Sequence, residues 1–269
     1  MEIQFWKMNG AGNDFVVIDN RDHRYALTQE QIARLCDRHR GVGADGLLAV
    51  EPAEQGADYR MRYYNADGGE AEMCGNGARC FGRFANFLNG FALHQVSFET
   101  PAGMIGATFH GDNVQIKMSE PFGLQQDLAL EVAGTELAVH FLNTGVPHAV
   151  VFVGDIDEVP VKEWGAALRY HKTFAPKGTN ANFVHRMGTS HIAIRTYERG
   201  VEDETLACGT GTVACALIHH LRTGQPAPIS VDVRSGDTLE INFTPEGGTF
   251  KDVTLTGPAE IVFQGTLQL

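Results

Sequence analysis

Apolar and polar positions change rhythm along the chain in a way that marks many strands and few helices. EIQFWKM (2–8) alternates and DFVVID (14–19) is continuously apolar at its centre, as paired strands are. NGAGN between them is a turn built from residues that tolerate positive φ. Thr28 and Gln31 have the spacing of a capping box for a helix through TQEQIARLCDRH, with Ile32 and Leu35 on one face. GVGADG follows, then strand patterns at LLAVE and YRMRYYN. The stretch NADGGEAEMCGNGARCFG (65–82) opens an amphipathic helical run that stops at Gly90, and strand patterns fill 94–118.

The second half repeats this plan. At a shift of 134 positions Asn9 aligns with Asn143, Tyr63 with Tyr197, Cys74 with Cys208, Gly75 with Gly209 and Gly77 with Gly211. DEVPVKEWGAALRYH supplies a helix where the first half has TQEQIARLCDRH. The expected architecture is therefore α/β (α+β), two copies of one unit, each with many strands around one long central helix. The boundary falls near residue 115: a first repeat over 1–115 plus 259–269, if EIVFQGTLQL returns to it, and a second over 116–258.

Size and charge narrow the function classes. A chain of 269 residues with 43% hydrophobic residues can bury a substantial core. No run reaches the roughly 18 apolar residues of a membrane span, and the N-terminus lacks the pattern of a signal peptide. A net charge of −12 argues against general nucleic-acid binding. Five cysteines without an export signal read as reduced thiols in the cytoplasm. Cys36, Cys80 and Cys215 sit inside helical patterns and read as small buried hydrophobes.

GVGADG fits the G-x-G-x-x-G spacing of a dinucleotide loop, but it follows a helix and precedes a strand, the reverse of what that loop requires. The gaps from Cys74 to Cys80 and from Cys208 to Cys215 are too long, and too helical, for a zinc site. What remains is two cysteines, each just before a Gly-x-Gly that begins a helix. A helix start presents unpaired N–H groups and partial positive charge, which favour a thiolate and bind carboxylates. Two thiols acting on opposite faces of one carbon are what two-base racemisation requires.

Together MNGAGNDFVVID, GVGADGLL, NADGGEAEMCGNGARC, NTGVPHAVVF, GTNANFV and YERGVEDETLACGTGT resemble the diaminopimelate epimerase family, from residue 8 to about 216. The resemblance implies two pseudo-twofold-related repeats, each a strongly curved, mostly antiparallel sheet or barrel around a central helix, with the site in the cleft between them. It implies interconversion of LL- and meso-2,6-diaminopimelate, in lysine and peptidoglycan-precursor biosynthesis, by a homodimer with no cofactor and no metal. Cys74 and Cys208 fall on the catalytic acid/base positions, and His148 and Glu198 on those that tune them. Asn13, Asn65, Gly75, Asn76, Asn180, Glu198, Arg199, Gly209 and Thr210 fall on substrate-binding positions. Gly46 and Val146 stand where many members carry Gln and Asn.

The acidic residues Glu70, Glu72, Glu202, Asp203 and Glu204 read as solvated turns with no catalytic part. Two rival functions stay open on sequence alone: a racemase of this fold acting on histidine or another amino acid, and a thiol redox or binding protein.

Overall fold

The computed structural model describes residues 1–71 and 73–269, so Glu72 lies outside the described residues. The chain divides into one unit of Met1–Ile116 with Gly257–Leu269 and another of Lys117–Thr256. The first holds β1 (Glu2–Gly10), β2 (Asn13–Asp19), α1 (Gln29–Cys36), β3 (Gly46–Glu51), β4 (Tyr59–Asn65), β5 (Glu70–Ala71), α2 (Gly75–Leu88), β6 (Gln95–Thr100), β7 (Gly103–His110) and β8 (Asn113–Lys117). The second holds β9 (Phe122–Val132), β10 (Thr135–Asn143), β11 (Pro147–Phe152), α3 (Val161–Arg169), a short 3-10 turn (Lys172–Phe174), β12 (Asn180–Arg186), β13 (His191–Glu198), β14 (Asp203–Thr205), α4 (Gly209–Thr223), β15 (Ile229–Asp232), β16 (Thr238–Glu246) and β17 (Thr249–Pro258).

Both units have the same connectivity. In the first, the chain's last strand, Glu260–Gln268, runs antiparallel to β1 and β1 antiparallel to β2. Then β2 is parallel to β3, β3 antiparallel to β4, and β4 parallel to β6, which continues antiparallel through β7 to β8. The two-residue β5 sits beside β4. In the second, β9, β10, β11, β12, β13, β15, β16 and β17 repeat that order and those senses, with β14 beside β13.

Each sheet is covered on two faces, which explains why VVI in β2 and LLAV in β3 are apolar without alternation. On one face Ile3, Phe5, Val16, Ile18 and Leu47 pack on Ile32 and Leu35 of α1. On the other, Trp6 meets Phe84 of α2 with ring centroids 4.9 Å apart, and Phe81 meets Phe98 at 4.6 Å. In the second unit α3 covers Val139, Val151, Ala181 and Phe183.

The two central helices are therefore enclosed along most of their length. Gly75 through Asn86 of α2 are all buried, as are Gly211 through His219 of α4. Full burial of each large apolar side chain stabilises by about 1.5–3 kcal/mol, so these helices anchor their units.

Two local expectations need correction. Helix α1 ends at Cys36 because the loop behind it folds back. Val42 and Gly43 donate N–H bonds to the Leu35 carbonyl at 2.9 and 3.1 Å, and Ala44 donates to that of Cys36 at 3.0 Å. A Cβ at Gly41 would stand 1.9 Å from the Arg34 oxygen, so the glycine there serves a tight helix exit. The acidic residues expected to solvate turns are paired instead. Glu70 bonds Arg62 at 2.5 Å, Glu202 bonds Arg169 at 3.0 Å, Asp203 bonds Lys162 at 2.9 Å, and Glu204 bonds Arg195 at 2.6 Å. Among these, Glu70, Asp203 and Glu204 lie in short strands.

Candidate active site

Cys74 and Cys208 occupy matching places. Each is the N-cap of the buried helix of its unit, in extended conformation (φ −136, ψ 126 and φ −123, ψ 106). Each carbonyl starts its helix: Ala78 N–H donates to Cys74 and Thr212 N–H to Cys208, both at 2.8 Å. The next residues, Gly75-Asn76 and Gly209-Thr210, form the first helical turn, where backbone N–H groups have no intrahelical acceptor. The other three cysteines are interior. Burial pushes the thiols of Cys36 and Cys80 up to about 12, and that of Cys215 well above its ordinary value.

In the first unit, Cys74 is half-buried and its Sγ lies 3.5 Å from Asn13 Oδ1, which also accepts from Asn76 Nδ2 at 3.5 Å. The Asn13 amide nitrogen donates to Asp45 Oδ2 at 2.6 Å. Asp45 belongs to a charged cluster with Arg38 (2.8 Å), and Arg38 holds Asp14 at 2.7 Å. Lys7 completes it, 2.5 Å from Asp14 and bonded to the Gly43 carbonyl. Burial pushes the Asp14 carboxyl up, but the hydrogen bonds from Arg38 and Lys7 outweigh it and hold it at about 2. Asn65 ends β4 across from Gly46 and accepts from the Tyr63 hydroxyl at 3.0 Å. A Cβ at Gly46 would stand 2.5 Å from the Tyr64 oxygen and 2.8 Å from the Tyr63 ring, so no longer side chain fits here without moving Tyr63.

The second unit gathers His148, Asn180, Arg199, Cys208 and Thr210. His148 is fully buried at the start of β11 beside Asn180 of β12. Its Nε2 lies 2.9 Å from Thr210 Oγ1, which lies 3.6 Å from Cys208 Sγ. Burial, then the nearby Arg199 charge, push the imidazole down to about 3, so the ring is neutral. Asn180 Nδ2 donates to the Pro147 carbonyl at 3.0 Å and its Oδ1 accepts from the Arg199 backbone at 2.8 Å. The Arg199 guanidinium donates to the Lys177 carbonyl at 3.1 Å. Glu198 is the last residue of β13 and pairs with Asp203 in the ladder.

Three residues at this site were not singled out in the sequence: Asp45, Asn182 and Thr196. Asn182 is fully buried behind His148, with Nδ2 3.1 Å from Nδ1 of the ring, and Thr196 donates to its Oδ1 at 3.0 Å. The available signal was a polar residue facing inward in the apolar run ANFV. Gly211 is required by the same packing, because a Cβ there would stand 2.4 Å from Asn182 Oδ1.

Comparison with known proteins places the chain in a family. A sequence model described as diaminopimelate epimerase matches residues 5–122 and 140–262. A diaminopimelate epimerase from Aquifex aeolicus is 44% identical over 98% of both chains, and one from Chlorobaculum tepidum is 42% identical over 97% of this chain and 100% of its own. Among solved structures, a phenazine biosynthesis protein of the PhzF family from Bacillus anthracis superposes over 100% of both chains with a TM-score of 0.75 at 16% identity. A probable proline racemase from Agrobacterium radiobacter superposes over 99% of this chain and 92% of its own, with a TM-score of 0.70 at 17% identity. These two share the fold, mixed α/β and mostly strand. On the family match and the full-length relatives, the chain belongs to the diaminopimelate epimerase family.

Proposed function

We propose that the chain interconverts LL- and meso-2,6-diaminopimelate, with Cys74 and Cys208 as its acid/base pair. The observation that most supports this pairing is the matched placement of the two thiols, each capping the buried helix of a unit with the same strand order. One thiolate removes the α-proton while the other thiol delivers a proton to the opposite face of the carbon. Reversing the roles runs the reaction backwards. The carbanion spreads charge onto the substrate carboxylate, which the N–H groups of the helix starts at Gly75-Asn76 and Gly209-Thr210 stabilise. Arg199 suits a carboxylate, for which a guanidinium is a bidentate partner. Asn13, Asn65, Asn76 and Asn180 supply neutral donors and acceptors for the amino-acid ends, and Glu198 a negative charge for an ammonium group.

The related reading, a racemase of histidine or another amino acid, is not favoured: the relatives at 38–44% identity carry the diaminopimelate name. We assign the enzyme to the cytoplasm, which keeps its thiols reduced, and to a homodimer, for which Val262 and Phe263, 57% and 48% exposed on the last strand, offer apolar surface. Sedimentation of wild type against Phe263→Glu tests the dimer; a monomeric wild type overturns it.

The test of function is incubation of reduced protein with LL-diaminopimelate in heavy water. The α-hydrogen should exchange for deuterium as the meso isomer accumulates. Reduced, folded protein that exchanges no α-hydrogen would sink the assignment.

A further inference from the structure

The second unit carries a basic cavity at the far end from its cysteine. Phe152, Val153 and Gly154 where β11 ends, His185 and Arg186 where β12 ends, and Arg222 and Thr223 where α4 ends line a space of about 200 Å³. The opposite ends of these three elements carry His148, Asn180 and Cys208. Along α4 alone that separation is about 20 Å. The cavity lies at the carboxyl ends of a parallel strand pair, where open α/β sheets take their ligands.

Its positive charge is uncompensated. Arg169, Arg195 and Arg234 of this unit each pair with a carboxylate, whereas Arg186 and Arg222 pair with none among the described residues. Arg222 lies over the ring of Phe152, its guanidinium carbon 4.2 Å from the centroid. Two buried histidines flank the same ring, His140 at 5.9 Å and His219 at 6.5 Å between centroids. Three ring nitrogens around the cavity, His140 Nε2, His185 Nδ1 and His219 Nδ1, are buried with no hydrogen-bond partner among the described residues. His140 Nδ1 accepts from the Asp127 N–H at 3.3 Å, so in the neutral ring Nε2 carries the hydrogen and is a donor lacking an acceptor. Burial first, then the Arg222 charge, push His140 down; burial, with Arg186 and Arg222, does the same to His219. Of the acidic neighbours, Asp127 stands 4.0 Å from His140 Nε2, and Asp155, next to Gly154, accepts from the Asp157 N–H at 2.9 Å.

The repeat supplies an internal contrast. At the shift of 134 positions His185 aligns with Glu51, Arg222 with Leu88 and Val153 with Asp19. The first unit closes the corresponding strand ends on itself: Asn20 Nδ2 donates to Glu51 at 2.9 Å, and Arg21 bonds Asp19 at 2.8 Å. An arginine at the C-terminus of α4 also complements the helix dipole, but that needs neither Arg186 nor His185 nor a cavity.

We propose that this cavity is a second ligand site, distinct from the cysteine site, which binds phosphate or a small phosphate monoester between Arg186 and Arg222, with His185 as a further donor. Two guanidiniums and an imidazole match the three outer oxygens of such a group, and each guanidinium can bind two of them at once. The site does not depend on the function proposed above, and a binding titration reads it whether or not diaminopimelate turns over.

The probe is inorganic phosphate, titrated calorimetrically into the full chain against chloride at equal ionic strength. Wild type should bind one phosphate per chain, saturably. Arg186→Gln and Arg222→Gln should each weaken binding by about tenfold, and the double variant should abolish it. Arg222→Lys, which keeps the charge without the fork, should lie between wild type and Arg222→Gln. Arg24→Gln, at an exposed arginine of the first unit, should bind as wild type does. Arg186→Gln also covers the case in which freeing the Phe152 ring of Arg222 unfolds the protein. Tighter binding of glycerol phosphate than of the free ion supports an ester as the ligand, and equal affinity supports phosphate itself. No saturable binding, tighter binding of succinate than of phosphate, or glutamine variants that bind like wild type would overturn the proposal.

Discussion

The N-caps of α2 and α4 are alike in backbone and unlike in chemistry. Both cysteines adopt the same extended conformation and start a buried helix in a sheet of the same order. Cys74 is half-buried beside an amide oxygen held by a cluster of two acidic and two basic side chains. Cys208 is 7% exposed and backed by a neutral chain of threonine, histidine and asparagine. Repetition supplies two equivalent frames, and the side chains behind each cysteine differ in charge and burial.

The largest effect tests whether both ends are needed. Cys74→Ala and Cys208→Ala should each lower the epimerisation rate by about 10²–10⁴-fold, the usual contribution of a general acid or base, with folding unchanged by circular dichroism. A variant of either cysteine that keeps wild-type turnover breaks the pairing.

Acid sensitivity should also divide the molecule. His140, His148 and His219, all pushed below their ordinary value by burial first, lie in the second unit. A neutral buried histidine gains a proton on unfolding, so stability falls as pH drops below the ordinary value of 6.5, for His148 down to about 3. Each such group contributes a slope of up to ~1.4 kcal/mol per pH unit in that window. Limited proteolysis at about pH 5, midway through this window, should cut within 117–256 before the first unit, and His148→Asn should delay that cleavage. Cleavage of the first unit at the same rate would remove the distinction.

The glycines of the two Gly-x-Gly motifs sharpen the comparison further. A Cβ at Gly211 would stand 2.4 Å from Asn182 Oδ1, whereas at Gly77 the nearest atoms, of Cys74 and Phe15, are 3.4 Å away. Gly211→Ala should therefore destabilise by about 1–3 kcal/mol through overpacking. Gly77→Ala should lie within about 0.5 kcal/mol of wild type, since contact and helix propensity nearly cancel there. Urea midpoints measure both, and equal losses would show that the two frames are packed alike.

The smallest effect concerns the anchor of Asn13. Asp45→Asn lets the Asn13 amide turn over, since an asparagine can donate as well as accept. Replacing a charge-assisted bond should lower kcat/KM by about tenfold. No change in kcat/KM would mean that Asn13 is oriented by other contacts.

Sequence made the repeat visible because a helix start leaves a local mark, cysteine then Gly-x-Gly, and two such marks in one register are hard to mistake. Asn13, His148, Asn180 and Arg199 were marked by the family resemblance, since alone each reads as an ordinary turn, strand-start or surface residue. Asn182, Thr196 and Asp45 escaped because their partners are distant in the chain. Asn182 meets His148, 34 positions away, and Asn13 meets Asp45 across 32. The full burial of α2 and α4 was hidden likewise, since arginine and asparagine on α2 gave it an amphipathic look that the surrounding sheet overrides. The acidic residues read as solvated turns are paired for the same reason, as with Glu202, whose Arg169 lies 33 positions away.

The last strand has a consequence for how the protein is made. Residues 117–256 form one continuous stretch, whereas β1 pairs along its length with Glu260–Gln268, and the terminal ammonium meets the Leu269 carbonyl at 2.6 Å. On the ribosome the second unit can complete itself while the first, though synthesised earlier, still lacks an edge partner for its opening strand. The half that is born first must finish last. Until Glu260–Gln268 emerges, that exposed edge is where a nascent chain is most open to chaperones and to mispairing.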